Sequence, residues 1–245
     1  MKLSSRLLVL ALVAVPAVPA LAVPPAAAAG PVLVAKYTFD SGASATGRVA
    51  EQSGRGVPLT IRSAERGAVR FAKGPTGQHA ALPARCLTTA KICPRALLEG
   101  ADDPDLDPGT RGFTWAASVS VAKAQLAGSP NVVQKGVVTT ESQWKLQIGQ
   151  THGKAQCVVV GRGNAKPYLV RASVSVADGK WHKIRCQRSG AALSVYVDGA
   201  LKGRTVIPAT LSIANDKPLR IGGPNFNTRK DMFHGSVDDV YAQLG

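Results

Sequence analysis

The sequence predicts an all-β protein, a sandwich or a barrel, and three observations carry that expectation. About a dozen short runs place an apolar residue at every second position, the repeat of a strand with one buried face. Gly, Pro and Asp separate the runs, most clearly at Asp178-Gly179 and Asp198-Gly199, which read as tight hairpin turns because glycine accepts positive φ and aspartate tolerates it. No segment shows a convincing amphipathic helical pattern, and no solenoid or propeller repeat is visible.

The elements follow in order. Val32 to Phe39 reads as the first strand, ended by Asp40-Ser41-Gly42. After a Gly- and Ser-rich stretch come short strands over Val57 to Arg62 and Ala68 to Phe71. Residues 84–110 break the rhythm with a small loop from Cys86 to Cys93, a helical turn at Ala96-Leu97-Leu98 and an acidic run from Asp102 to Asp107. From Phe113 the alternation is clean: Phe113, Trp115, Ala117, Val119 and Val121 face one side, and Thr114, Ala116, Ser118 and Ser120 the other. Trp144, Leu146 and Ile148 repeat the pattern. Strands are then expected at Cys157 to Val160, Leu169 to Val176, Trp181 to Gln187, Leu193 to Val197, Leu219 to Ile221 and Val237 to Tyr241. Ile184 and Cys186 share one face of their strand, as do Leu193, Val195 and Val197 of theirs.

Residues 1–29 read as a secretory signal, with Lys2 and Arg6 as the positive region, Leu7 to Val15 as the apolar region and small residues behind. Cleavage fits after Ala20-Leu21-Ala22 or after Ala27-Ala28-Ala29. The apolar core is too short to span a bilayer, and no later stretch approaches that length. A secreted, extracellular protein with no membrane span is expected. The remainder, 30–245, is one domain's worth for an all-β sandwich.

Export makes Cys86, Cys93, Cys157 and Cys186 readable as disulfide partners in an oxidising compartment. Of the three pairings, Cys86–Cys93 with Cys157–Cys186 is the most economical, since one closes a short loop and the other joins two predicted strands. By chain entropy the longer loop contributes about 3–4 kcal/mol and the shorter about 2.5 kcal/mol. A metal site is the competing reading, but it lacks close Cys-x-x-Cys spacing and a nearby His pair.

Charge is the other compositional signal. The 245 residues include 30 Lys and Arg against 15 Asp and Glu; without Lys2 and Arg6, 28 basic residues remain, a net of +13. Such a field attracts polyanions: acidic wall polymers, sulfated or uronic-acid glycans, nucleic acid. The basic residues are scattered, with no Lys/Arg block of five, so solubility explains them at least as well as a partner does. No specific nucleic-acid site is expected.

From about Tyr37 onward the chain resembles the laminin-G-like, concanavalin A-like lectin/glucanase superfamily. The resemblance rests on Tyr37-Thr-Phe39 with Glu51-Gln-Ser-Gly54, on Leu106-Asp-Pro-Gly-Thr-Arg-Gly-Phe-Thr-Trp115, and on Val133-Gln-Lys-Gly136 with Trp144-Lys-Leu-Gln-Ile148. Asp178-Gly-Lys-Trp-His182, Val195-Tyr-Val-Asp-Gly199, Leu219-Arg-Ile-Gly-Gly223 and Gly235-Ser-Val-Asp-Asp-Val240 continue it in family order. The fold it implies is a jelly-roll β-sandwich of two curved antiparallel sheets. Fold does not fix function, because the superfamily includes lectins, heparin-binding modules, glycosidases and attachment domains.

The resemblance also implies one Ca²⁺, held by an acid of the opening loop and one near the terminal strand. Calcium needs several oxygens, which carboxylates from distant segments and backbone carbonyls supply. The candidates are Glu51, standing where the family usually has aspartate, with Asp238 and Asp239. Alternation puts the last two on opposite faces, so at most one ligates directly. The second acidic cluster, Asp103-x-Asp105-x-Asp107, fails as an EF-hand, with Pro108 at the glycine position and Thr114 where the bidentate glutamate should be.

Enzyme chemistry finds little support. The glucanase arrangement Glu-x-Asp-x-x-Glu is absent, and Glu51, Glu65, Glu99 and Glu141 are far apart in sequence. There is no Gly-x-Ser-x-Gly elbow, no His-Glu-x-x-His and no phosphate loop. His79, His152, His182 and His234 are isolated, and His182 is expected to pack in a satisfied position. Trp115 and Trp144 read as core, Trp181 as a candidate exposed ring and Phe226 as the clearest loose aromatic.

The function expected is a non-catalytic module recognising extracellular glycan or another polyanion, supported by calcium. Asn225, Asn227, Arg229 and Lys230, with Arg162 and Asn164 from another turn, are the candidate ligand contacts, since Asn and Arg bond sugar hydroxyls and carboxylates and loops present them. A divergent polysaccharide hydrolase or lyase, and an envelope protein-interaction domain, are the alternatives.

Overall fold

A computed structural model describes residues 30–87, 89–137, 141–227 and 229–245. The expected signal, residues 1–29, lies outside the described residues. Among these, sixteen strands pair antiparallel into two eight-stranded sheets.

The first sheet contains β1 (Val32–Tyr37), β4 (Arg70–Gly74), β5 (Gly77–Ala81), β7 (Phe113–Ala122), β12 (Asp178–Ser189), β13 (Ala192–Val197), β14 (Ala200–Val206) and β16 (Ser236–Leu244). It runs in the order β14-β13-β12-β7-β16-β5-β4, with β1 also on β16. The second contains β2 (Arg48–Val49), β3 (Leu59–Ala64), β6 (Arg95–Gly100), β8 (Asn131–Gly136), β9 (Gln143–Gly149), β10 (Lys154–Gly161), β11 (Asn164–Ser175) and β15 (Leu219–Ile221). Its order is β11-β10-β9-β8-β15-β6-β3-β2. The architecture is the expected all-β sandwich, and no helix among the described residues is long and apolar enough to cross a membrane.

The core forms where the inward faces meet. Phe113, Trp115, Ala117, Val119 and Val121 of β7 oppose Trp144, Leu146 and Ile148 of β9 and Ala155, Cys157 and Val159 of β10. Phe113, Trp115 and Trp144 pack with ring centroids 5.2–5.8 Å apart. Buried Trp144 keeps a partner for its polar edge, Nε1–H donating to the Leu106 carbonyl at 2.9 Å. Both disulfides form as expected; Cys157–Cys186 joins β10 to β12 and so ties one sheet to the other.

Four local expectations are corrected. Ala96-Leu97-Leu98 is not a helical turn but the middle of β6, where Ala96, Leu97 and Leu98 are all buried. A continuous apolar run of that length belongs to a strand covered on both faces, and sheet pairing overrides the helical propensity of Ala and Leu. Asp178-Gly179 is not a hairpin turn, because β11 ends in the second sheet and β12 begins in the first. Gly179, at φ +80°, instead occupies a register shift at the start of β12. Asp198-Gly199 is the two-residue hairpin expected, with φ +51° and +82° between paired Val197 and Ala200. The early strands start about two residues later than the alternation suggests, at Leu59 and Arg70. Phe226 is not loose: it is half-buried, with the Arg95 guanidinium 5.7 Å from its ring centroid.

Candidate functional site

The outward face of the first sheet carries a trough. On β7 the outward residues are small, Thr114, Ala116, Ser118 and Ser120, so the central strand presents a low floor. Its neighbours present large ones. One cross-strand row runs Lys36 (β1), Tyr241 (β16), Ala116 (β7), Arg185 (β12) and Tyr196 (β13). The next row is Asp238, Ser118 and Lys183.

Over Ala116 these rows enclose a cavity of about 430 Å³, with Lys36, Lys183, Arg185 and Asp239 as its charged residues and Tyr196 and Tyr241 as its rings. Arg185 stacks on Tyr196, its guanidinium carbon 3.7 Å from the ring centroid. Burial pushes the Tyr241 hydroxyl above the ordinary phenol range, with nearby Arg185 opposing the shift. A bulge in β16 between Asp238 and Tyr241 leaves Asp239 at φ +45° and carries it to the rim.

A second cavity of about 290 Å³ continues the trough, sharing Ser118 and Lys183 with the first and adding Thr76, Trp181, Asp198 and Asp238. Trp181 is half-buried, held edge-on by His79 at 5.1 Å between centroids. Asp238 is buried and accepts from the Thr76 hydroxyl at 3.1 Å and the Asp239 N–H at 2.7 Å. Burial pushes its carboxyl above the usual range. His182 lies between Asp198, at 2.8 Å from Nδ1, and Asp178, at 3.1 Å from Nε2, in the satisfied position expected of it. The trough is therefore cationic and aromatic at the Lys36–Arg185–Tyr196 end, and rich in hydrogen-bond acceptors at the Trp181–Asp198 end. Such a surface can stack on the apolar face of a sugar, pair with a carboxylate or sulfate and accept from hydroxyls.

Of the sequence-expected residues, Asp238 and Asp239 line the trough and the others lie elsewhere. Glu51 accepts from the backbone N–H groups of Lys36, Ser53 and Gly54 at 2.7, 2.8 and 3.0 Å. Burial opposes ionisation of Glu51, but hydrogen bonds from Ser53, Lys36 and Gly54 outweigh it and hold the carboxyl below its usual range. Among the described residues no group of three His, Cys, Asp or Glu side chains is arranged to hold a metal. Arg229 donates to the carbonyls of Ala90 and Lys91 and pairs with Glu65, fastening its loop to the Cys86–Cys93 loop. Asn225 accepts from the Asn227 N–H at 2.9 Å, a turn of local origin. Arg229 and Lys230 line a cavity beside Cys86 and Cys93, whereas Arg162 lines another beside Asp102, Asp107 and Asp216. Asn164 opens β11.

Lys36, Lys183, Arg185, Tyr196 and Tyr241 were missed, although part of their signal was present. Lys183 and Arg185 alternate with Ile184 and Cys186, and Tyr196 sits between Val195 and Val197. Alternation puts those residues on outward faces, but which faces adjoin follows only from the strand pairing.

Fold and trough together define a two-sheet jelly roll with a polar, aromatic face. The chain belongs to the concanavalin A-like lectin/glucanases superfamily, whose pattern matches residues 100–242. Among solved structures it is similar to domain 4 of AbnA, a GH43 extracellular arabinanase from Geobacillus stearothermophilus in complex with arabinotriose (TM-score 0.65, 16% identity, covering 88% of this chain and 93% of that one). It is also similar to the binding domain of Paraclostridial Mosquitocidal Protein 1 (0.61, 14%, 86% and 48%) and to the botulinum neurotoxin serotype C1 binding domain (0.61, 10%, 86% and 48%). The matched part spans about half the length of the two toxin domains. No curated protein matches the chain in sequence. At these identities the likenesses establish the fold.

Proposed function

We propose that this chain is a secreted, non-catalytic module whose first-sheet trough binds an extended acidic glycan. The observation that carries the reading is the row Lys36–Tyr241–Ala116–Arg185–Tyr196, in which two rings and two cations flank a floor kept low by alanine. Sugar recognition by such a surface combines stacking on the ring face with charge-assisted hydrogen bonds to a uronate or sulfate. The two disulfides support an oxidising compartment. The arabinotriose complex of the arabinanase domain supports a carbohydrate ligand on this fold. None of the four glutamates lines either cavity of the trough, but Asp198, Asp238 and Asp239 do, so assaying turnover of a polysaccharide panel separates binding from hydrolysis.

Calorimetric titration with neutral, uronic and sulfated oligosaccharides tests the reading. The acidic ligands bind, binding weakens with salt, and Arg185→Ala with Tyr196→Ala abolishes it at this face. No binding to any of the panel overturns the proposal. Repeating the titration with added Ca²⁺ and with chelator decides whether Glu51, Asp238 and Asp239 support the site through a metal.

A further inference from the structure

The opposite face of the sandwich carries its own polar row. On the outward side of the second sheet, Asn131 (β8), Gln147 (β9), Gln156 (β10) and Arg171 (β11) are successive cross-strand partners. Asn131, Gln147 and Gln156 are only 3–6% exposed, although outward positions on a sheet normally meet water. A cavity of about 490 Å³ lies here, lined by Gln147, Gln156, Arg171, Thr151, His152 and Lys154 among others.

The amides are locked and incompletely matched. Gln147 Nε2–H donates to Gln156 Oε1 at 2.6 Å, and Asn131 Nδ2–H to Gln134 Oε1 at 2.6 Å. That leaves Gln147 Oε1 and Asn131 Oδ1 buried with no protein donor. Turning either amide over exchanges an orphan oxygen for an orphan NH₂, so the unmet bond persists. A buried polar group left in that state pays its desolvation without a compensating bond. Gly149 is part of the construction: a Cβ there would stand 2.4 Å from Gln156 Nε2, so glycine is what lets that amide lie against the strand.

We propose that this cavity is a second saccharide site, taking a hydroxyl-rich ligand that carries a carboxylate or sulfate, so that one domain holds two glycan segments on opposite faces. A sugar hydroxyl donates to Gln147 Oε1, while Arg171 and Lys154 meet the anion. No carboxylate is among the described residues lining the cavity. Asp231, near its rim, accepts from the Ser129 N–H at 2.7 Å. No Trp, Tyr or Phe lines it, so a base-stacking nucleic-acid site is not indicated. This site rests on the residues of its own cavity; only the count of two glycan segments rests on the trough reading.

Titration with a hexasaccharide of galacturonic acid, and separately with a sulfated hexasaccharide, tests it on four proteins. These are the unmodified chain, Arg185→Ala with Tyr196→Ala, Arg171→Ala with Lys154→Ala, and all four changes together. The expected stoichiometries are two, one, one and none. Gln147→Met, close in shape but lacking the amide's carbonyl oxygen and N–H groups, weakens the second site at least tenfold while leaving the first unchanged. Arg171 is exposed and its replacement leaves folding intact, which thermal unfolding verifies. The unmodified chain also clouds a solution of long polyuronate, and the Arg171→Ala, Lys154→Ala protein does not. A stoichiometry of one that Arg171→Ala and Lys154→Ala leave untouched overturns this inference. A stoichiometry of one that only those changes abolish overturns the trough reading instead.

Discussion

Arg185 and Tyr196 are cross-strand partners on β12 and β13, and the Arg185 guanidinium carbon stands 3.7 Å from the Tyr196 ring centroid. Arg185 Nη1–H also donates to Gln187 at 3.1 Å, so the cation is held from two sides. Cation–π contacts stabilise by about 0.5–2 kcal/mol, and an arginine already in place loses less freedom when it meets an anion. Arg185→Ala weakens an acidic oligosaccharide about tenfold or more and flattens the salt dependence of binding. Arg185→Lys keeps the charge and loses the planar stack, so it recovers only part of the affinity. Calorimetry at low and high salt reads both; a lysine variant equal to the unmodified chain shows that stacking contributes nothing.

Ala116 is the floor of the same row, between Tyr241 and Arg185. A larger side chain there grows outward, away from the core on the other face of β7. Ala116→Leu therefore removes glycan binding while shifting the melting temperature by only a few degrees. Unchanged affinity in a folded Ala116→Leu protein places the ligand elsewhere.

The outward face of β7 shows how much was legible beforehand. Alternation alone separated Thr114, Ala116, Ser118 and Ser120 from the core set, and it located both disulfide-bearing strands. It could not say which outward faces would lie side by side, because β16 and β1 reach the trough through pairings distant in sequence. Loops were harder still. Arg229 and Asn225 have the chemistry of ligand contacts, but the structure engages them with Ala90, Lys91 and Glu65, and with Asn227. Glu51 likewise has the chemistry of a metal ligand, and its oxygens meet three backbone N–H groups. Polar side chains in loops serve the backbone first, and single-sequence reading does not show which carbonyls and amides need them.

His182 clasps the start of β12 to the β13–β14 hairpin through Asp178 and Asp198. Burial lowers its pKa, but hydrogen bonds to Asp198 and Asp178 outweigh that and hold it above the ordinary imidazole value. A pKa raised on folding means the protonated form contributes stability fully below the unfolded value of about 6.5, and loses it as pH rises through the folded one. Both carboxylates stay ionised across that window. The Lys180 N–H lowers Asp178, and at Asp198 the bond to His182 outweighs the effect of burial. The melting temperature should fall as pH rises above about 6.5, and Asp198→Asn should flatten that fall. An NMR titration placing His182 at or below the ordinary value refutes the clasp.

The Cys157–Cys186 bridge closes a longer loop than Cys86–Cys93, with separations of 29 and 7 residues. On the chain-entropy model its removal costs about 3.6 kcal/mol, against about 2.4 kcal/mol for the shorter one. Replacing both cysteines of each pair with serine orders the two variants accordingly in urea unfolding. A larger loss from Cys86→Ser with Cys93→Ser would show that the short loop acts through its packing against Arg229.

Lys135 tests a different kind of buried polar group. Its side chain is fully buried on β8; Nζ donates to Asp107 at 2.8 Å and to the Asn215 carbonyl, and it forms an ion pair with Asp102 at 2.9 Å. The partners are unequal, with the Asp107 side chain 17% exposed and Asp102 41% exposed. Removing Asp107 leaves a buried ammonium with only its outer partner and the carbonyl, and breaking a buried pair in this way costs about 3–5 kcal/mol. Asp107 also accepts from the Asn215 N–H at 3.2 Å, which adds to that loss. Lys135→Met removes the charge that needed burying, fills a similar volume and leaves carboxylates that can turn towards water. Its cost should be about 1 kcal/mol or less, because a buried pair replaced by an apolar side chain is often neutral. Urea unfolding of Asp107→Ala and Lys135→Met should therefore show a large loss and a small one. Equal losses would mean that the ion pair itself is a net source of stability. A small Lys135→Met loss identifies the unpaired buried ammonium, not the missing attraction, as the cause of the damage in Asp107→Ala.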